Sequence, residues 1–225
     1  MPRRIVFLRH GRTAYNADGR IQGQLDVALD ATGRAQAAAL ADVWLLDPPA
    51  VIVSSDLERA RDTAAVVAGA TGLALLQDPR LRELDLGAWQ GLTSAQAAER
   101  FPAEHAAWHR GEDIARGGGE TYAQAGARAA ACVLDLLPTA GTILAVTHGG
   151  TARGALGTLL ELPADAWWRL APLGNTCWAV LVEADRGWRL ERHGVAADPF
   201  GIQASVSDVG GPAARQPAGT GLPVR

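Results

Sequence analysis

The chain has 225 residues, 48% hydrophobic and 20% charged, with a net charge of −3. That is enough for one substantial α/β domain, and the charge balance sets up no field suited to nucleic acid or an anionic membrane surface. All 21 basic residues are arginine, which excludes Schiff-base lysine chemistry and a P-loop lysine, and the two cysteines, Cys132 and Cys177, are too few for a disulfide framework. No apolar run approaches a membrane span. The chain enters its first strand without a charged-then-apolar leader, so a cytoplasmic protein with buried thiols is expected.

Arg4-Ile5-Val6-Phe7-Leu8 reads as a fully buried strand, ended by Gly11, which leaves Arg9 and His10 at its carboxyl end. A polar loop over 11–28 follows. Asp30 can cap a helix running to about Leu46, where Asp47-Pro48-Pro49 stops it. Val51-Ile52-Val53 is a short buried strand, and Ser55-Asp56-Leu57-Glu58 has the form of a capping box opening a helix to Gly69 or beyond. Gly72 suits its end, and 73–76 reads as a strand. The stretch 78–91 is irregular. Thr93-Ser94-Ala95-Gln96 is a second capping box for a short helix to about Phe101, and 102–120 is a polar excursion ending in three glycines. A long Ala-rich helix spans 121–136, with Pro138 beyond it, and 142–146 is a buried strand leading at once into Thr147-His148-Gly149-Gly150 and a helix to about Leu160. The runs 177–182 and 188–191 form a hairpin about Asp185-Arg186-Gly187. Beyond Ala197 the chain is Gly, Pro, Ala and Ser without periodicity, a composition expected of a disordered tail over 198–225. Strands alternating with helices imply a three-layer α/β/α sandwich on a mostly parallel sheet, one domain over 1–197.

Ligands of open α/β sheets bind at the carboxyl ends of the strands. There the chain carries Arg9 and His10, then Ser54-Ser55 with Arg59 in the next helix's first turn, then Thr147 and His148. An arginine in a first turn is unfavourable on dipole grounds, so Arg59 either faces a bound anion or pairs with Asp56, Glu58 or Asp62. Two arginines and two histidines at strand ends describe a phosphate pocket. Glu83, among Leu81, Leu84 and Leu86, has an apolar setting suited to a general acid, the alternative being a surface pair with Arg80 or Arg82. His105 and His109 stand four apart but lack a zinc-protease glutamate and a third ligand, so no metal is expected there.

Leu8-Arg9-His10-Gly11 with Thr13 and Asn16 resembles the signature of the histidine phosphatase superfamily, whose fold is phosphoglycerate-mutase-like. The likeness continues through Ser54-Ser55-Asp56-Leu57 with Arg59, Leu81-Arg82-Glu83-Leu84 with Trp89 and Gly91, Gly119-Glu120-Thr121, and Val146-Thr147-His148-Gly149-Gly150. It implies catalytic roles for His10, Glu83 and His148, with His10 becoming phosphohistidine and Glu83 the proton donor. It implies phosphate contacts from Arg9, Arg59, Asn16, Gln22, Gly23 and Gly149. It implies no metal and no cofactor, a small-molecule phosphate ester as substrate, and a homodimer as the common assembly. A phosphoglycerate mutase, an α-ribazole or broad-specificity phosphatase, and a non-catalytic phospho-ligand binder are the alternatives.

The segment after Glu83 has no lysine and is short for a mutase lid, which favours hydrolysis. The stretches 22–26, 53–57 and 89–93 look most like the actinobacterial glucosyl-3-phosphoglycerate phosphatase branch. Arg12, Arg20, Arg116, Trp89, Gln22 and Gln24 are expected at the cleft mouth, where an arginine suits a carboxylate and Trp89 a sugar ring.

Overall fold

A computed structural model describes residues 2–137 and 141–197. The expected tail over 198–225 and the Pro138 stop lie outside the described residues. Six strands form one sheet in the order β3-β2-β4-β1-β5-β6, with β1 at Arg4–Arg9, β2 at Val51–Ser54, β3 at Leu75–Gln77, β4 at Thr142–Thr147, β5 at Trp178–Ala184 and β6 at Gly187–Val195. The first four are mutually parallel; β5 runs antiparallel to β1, and β6, antiparallel to β5 in the hairpin, returns to the direction of the first four.

The unbroken apolar run in β1 follows from burial on both faces. Ile5 and Phe7 point into a core with Ala129, Val133 and Ala155, whereas Val6 and Leu8 point into another with Leu40, Trp44, Ala64 and Val67. Helices α7 (Tyr122–Leu136) and α8 (Gly149–Leu159) cover the first face; α3 (Leu40–Leu46) and α4 (Glu58–Thr71) cover the second. The three-layer sandwich is as expected.

Several local readings change. The helix expected over 30–46 is two, α2 (Ala31–Ala38) and α3, separated at Ala39; the break lets Leu40 and Trp44 bury together, with Trp44 against Trp178. Asp30 caps α2 as expected, through Gly33 N–H. The capping box expected at Ser55 does not form. Ser55 Oγ accepts from Leu57 N, α4 begins at Glu58, and its free N–H is capped by Asp26 Oδ1 from the preceding loop at 2.8 Å. A local pattern thus yields to a partner 32 residues away.

The loop 11–28 contains the one-turn α1 (Ala14–Ala17) capped by Thr13. The box at Thr93 does form, opening α5 (Ser94–Arg100). The excursion 102–120 holds α6 (Pro102–His109), which buries Ala107 and Trp108, the latter with Trp89 in a third cluster; its polar composition hid that apolar face. The third strand sits at 75–77 rather than 73–76.

Helices α7 and α8 cross in near backbone contact. A Cβ on Gly154 would stand 2.6 Å from Tyr122 O, and one on Gly126 would overlap the Gly154 carbonyl. Gly154→Ala is therefore expected to destabilise by about 1–3 kcal/mol in urea unfolding, since backbone must give way. Gly69→Ala, exposed in α4 with open space around its Cβ, should instead stabilise by up to about 1 kcal/mol. Equal effects would mean that the α7–α8 contact is looser than described.

Candidate functional site

The β1–β4 register builds the centre of the site. Arg9 pairs with Thr147, so the next residues, His10 and His148, emerge side by side from adjacent strand ends. His10 N donates to Thr147 O at 3.0 Å, and the two imidazole centroids are 5.1 Å apart. His10 Nδ1 lies 2.7 Å from Gly11 O. A carbonyl can only accept, so Nδ1 carries the proton and Nε2 keeps its lone pair. Burial, with the charges of Arg59 and Arg9 beside it, holds the His10 pKa well below 6.5. His148 is fully buried and its pKa is lowered too, by burial first and then by Arg59, His10 and Arg9. Neither of its ring nitrogens has a partner among the described residues.

Arg59 is also wholly buried, in the first turn of α4. Its Nη1 and Nη2 donate to Leu25 O and Gly23 O, each at 2.7 Å. It makes no ion pair with Asp56, Glu58 or Asp62, the alternative left open by the sequence: Asp56 pairs with Arg82 and Asp62 with Arg61. Burial lowers the Arg59 pKa to about 10, against the pull of Glu83 and Asp26. Its Nε is buried without a partner among the described residues. Arg9 Nη1 donates to Leu173 O at 2.7 Å.

The loop after β1 turns two amides the same way. Asn16 Oδ1 accepts from Thr13 N and from Asn175 Nδ2, both at 3.2 Å. Thr13 Oγ1, accepting from Asn16 N, spends its proton on Gln22 Oε1 at 2.9 Å. Both amide oxygens are thereby occupied inside the protein. The NH2 ends of Asn16 and Gln22 are left for the cleft that both residues line with Arg9, His10, Gly23 and Arg59.

Glu83 faces the same cleft, with Gly149 and Gly150. The surface pair with Arg80 or Arg82 is not formed, because Arg80 bonds Asp78 and Asp135 and Arg82 bonds Asp56. The carboxylate instead caps α8. Oε1 accepts from Thr151 N and Leu84 N, both at 2.9 Å, and Oε2 from Gly150 N alone at 3.1 Å, while the Thr151 hydroxyl gives its proton to Arg82 O at 2.8 Å. The Gly149 N–H has no partner among the described residues and stands at the positive end of the helix, a position suited to an anion. Arg128 secures the Glu83 loop from behind, donating to Arg80 O, Arg82 O and Glu83 O.

Three expected mouth residues belong elsewhere. Trp89 is fully buried and bonds Glu104 through Nε1, so it belongs to the core. Arg12 is tied to Asp30 and Thr32. Gln24 bridges to Glu83 O rather than facing a ligand. Arg20 and Arg116 do line the cleft, joined by Arg153, which sequence reading missed. Its one signal was its spacing, four residues after Gly149 and so on the same helix face. Asn175 and Arg128 act through loops and left no sequence signal. His105 bonds Ser94 and stacks on Trp89, and no group of three metal-ligating side chains occurs among the described residues.

A family model described as "Histidine phosphatase superfamily (branch 1)" matches residues 5–196. The chain is 42% identical over 189 residues to a glucosyl-3-phosphoglycerate phosphatase of Mycobacterium tuberculosis, covering 80% of this chain and 85% of the relative. It is 39% identical over 209 residues to one of Mycolicibacterium vanbaalenii, covering 84% and 93%. The solved structure of mycobacterial glucosyl-3-phosphoglycerate phosphatase with VO3 superposes with a TM-score of 0.81 at 40% identity, covering 86% of this chain and all of that one. Among the described residues no helix is long and apolar enough to cross a membrane.

Both imidazoles are neutral in the fold but titrate near 6.5 when unfolded. The unfolded chain then binds more protons below that pH. Their contribution to stability is present above about pH 6.5 and is lost as pH falls toward the folded values. His148→Gln should therefore flatten the decline of unfolding free energy below pH 6.5, by up to about 1.4 kcal/mol per pH unit. Urea titrations between about pH 7 and about pH 5 measure this. An undiminished slope would mean that His148 is already charged in the fold.

Proposed function

For a chain that belongs to the histidine phosphatase superfamily, we propose hydrolysis of a small phosphate monoester through phosphohistidine at His10, without a metal, with glucosyl-3-phosphoglycerate as the substrate. The observation that carries the chemistry is the single tautomer of His10, with a bare Nε2 beside His148 and Arg59 and a carboxyl group in the same cleft. The substrate rests on the mycobacterial relatives, whose activity also favours water over a second phosphoglycerate as acceptor.

In the first step the Nε2 lone pair attacks phosphorus as the bond to the leaving oxygen breaks. Arg9, Arg59, the Asn16 and Gln22 amides, and the Gly149 N–H donate to the non-bridging oxygens; the Gly23 carbonyl orients Arg59. His148 donates its one N–H, and the dianion's approach favours its charged form. Glu83 gives the leaving oxygen a proton. Oε1 already accepts two backbone N–H bonds and Oε2 one, so Oε2 is the oxygen that carries it. In the second step the Glu83 carboxylate takes a proton from water, the water oxygen attacks phosphorus, and the P–N bond pair returns to Nε2. Inorganic phosphate leaves and Glu83 is again protonated.

Two free, buried thiols support a cytoplasmic location, and family resemblance alone supports a homodimer. The tail and single-domain readings likewise rest on composition.

Acid-labile label from a radioactive phosphate ester should map to His10 and vanish in His10→Ala; label on Ser54 or Ser55 would overturn the mechanism. Glu83→Gln should slow alkyl phosphates by about 10²–10⁴-fold and p-nitrophenyl phosphate far less, because nitrophenolate leaves without a proton. Equal losses would make Glu83 structural.

The arginines and His148 supply the charge that a metal would otherwise provide. Dialysis against a chelator should leave kcat unchanged, and activity restored by Mg²⁺ or Zn²⁺ would refute metal independence.

A further inference from the structure

Two guanidinium groups in the cleft have no part in the chemistry above. Arg116 and Arg153 are only 4% and 8% exposed, and both line the cleft with His10 and Glu83. Neither makes a hydrogen bond or ion pair with any described residue, and each Nε is buried without a partner. They lie instead on aromatic rings. Arg116 Cζ is 5.0 Å from the Tyr122 centroid and 5.4 Å from that of Trp108, while Arg153 Cζ is 5.0 Å from Trp168 and 5.9 Å from Tyr122. Stacking attracts a cation but offers its N–H groups no acceptor. Withdrawing a charge from water without hydrogen-bond partners is costly.

Nearby carboxylates do not serve them. Glu104 spends Oε2 on Trp89 Nε1 and Gly117 N, and Asp113 spends both oxygens on the N–H groups of Tyr122 and Ala123.

Both arginines are held rigidly relative to Glu83. Arg153 lies one turn beyond Gly149 on the helix whose first amides Glu83 caps. The turn carrying Arg116 is pinned at Gly117, where φ is +60° and a Cβ would stand 2.6 Å from Ala88 N and 2.7 Å from Leu86 O. The α7–α8 glycine contact brings Tyr122 to Arg153, so one phenol ring is flanked by both cations.

We propose that Arg116 and Arg153 form a second anion subsite that binds a carboxylate on the leaving group, the side of the cleft served by Glu83. The assignment rests on the phosphatase reading above. Two guanidinium forks set against one phenol ring in the same cleft suit a carboxylate, and a second phosphate shares that chemistry, so the test includes one.

The test compares kcat/KM for 3-phosphoglycerate and glycerol 3-phosphate, the same three-carbon ester with a carboxylate or a hydroxymethyl group. The parent protein should prefer the carboxylate by at least about tenfold, the worth of one charged hydrogen bond. Arg116→Gln and Arg153→Gln should each shrink the ratio, and the double variant should bring it near unity. A general loss of folding or chemistry lowers both substrates alike and leaves the ratio unmoved. A ratio near one in the parent, or one undiminished in the double variant, overturns the subsite. So does a larger preference for fructose 1,6-bisphosphate over fructose 6-phosphate, which would assign the site to a second phosphate. Should the variants not fold, glycerate must inhibit the parent's hydrolysis of p-nitrophenyl phosphate at least about tenfold more strongly than glycerol, and equal inhibition overturns it. If the parent hydrolyses no ester, the phosphatase reading fails; calorimetric binding of glycerate by the parent and not by the double variant then decides the subsite alone.

Discussion

Arg59 is withdrawn completely from water with two backbone carbonyls as its hydrogen-bond partners, and much of the site follows from that. Its donors draw the 23–25 stretch of the loop over the strand ends, and Asp26 of the same loop supplies the missing cap of α4. Its charge, added to burial, keeps His10 and His148 neutral. Neutral imidazoles are the form in which one can attack and the other can receive charge. A centre so rich in buried donors and so poor in acceptors is electrostatically incomplete until an anion enters.

The second half of the site depends on close backbone contact. Gly117 and Gly119 let the turn bearing Arg116 sit against the 85–89 backbone, and Gly126 and Gly154 let α7 and α8 cross with little between them. Glu83 joins these parts by capping α8 while Arg128 grips the carbonyls of its loop. The spacing between His10, Glu83 and the outer arginines is thus set by main chain rather than by flexible side chains. Such spacing is what positioning a substrate requires.

Much of this was legible in the residues. The apolar runs of β1 and β4 announce buried parallel strands, and the polar residues immediately after them, Arg9-His10 and Thr147-His148, can stand nowhere but at the carboxyl ends. Thr93 with Gln96 announces a helix start because both halves of the box lie within one turn. The box at Ser55 misled because it is equally local, whereas the group that caps α4 comes from another loop. Trp89 misled for a related reason: a tryptophan between glycines in an irregular stretch looks exposed, and its burial depends on Phe101 at the end of α5 and on Trp108 arriving from the excursion. The α6 helix there escaped notice because its apolar face is only a few residues wide.

The sequence by itself determined the α/β layering and named the arginines, histidines and glutamate of the proposed phosphate centre, because these rest on periodicity within one element or on motifs within a few residues. Tertiary structure alone decided which amide ends face the cleft, what holds Glu83, and that Arg153 joins Arg116 while Arg12 does not. Those outcomes turn on hydrogen-bond partners and helix crossings between segments distant along the chain. No local pattern encodes which distant acceptor a side chain will meet.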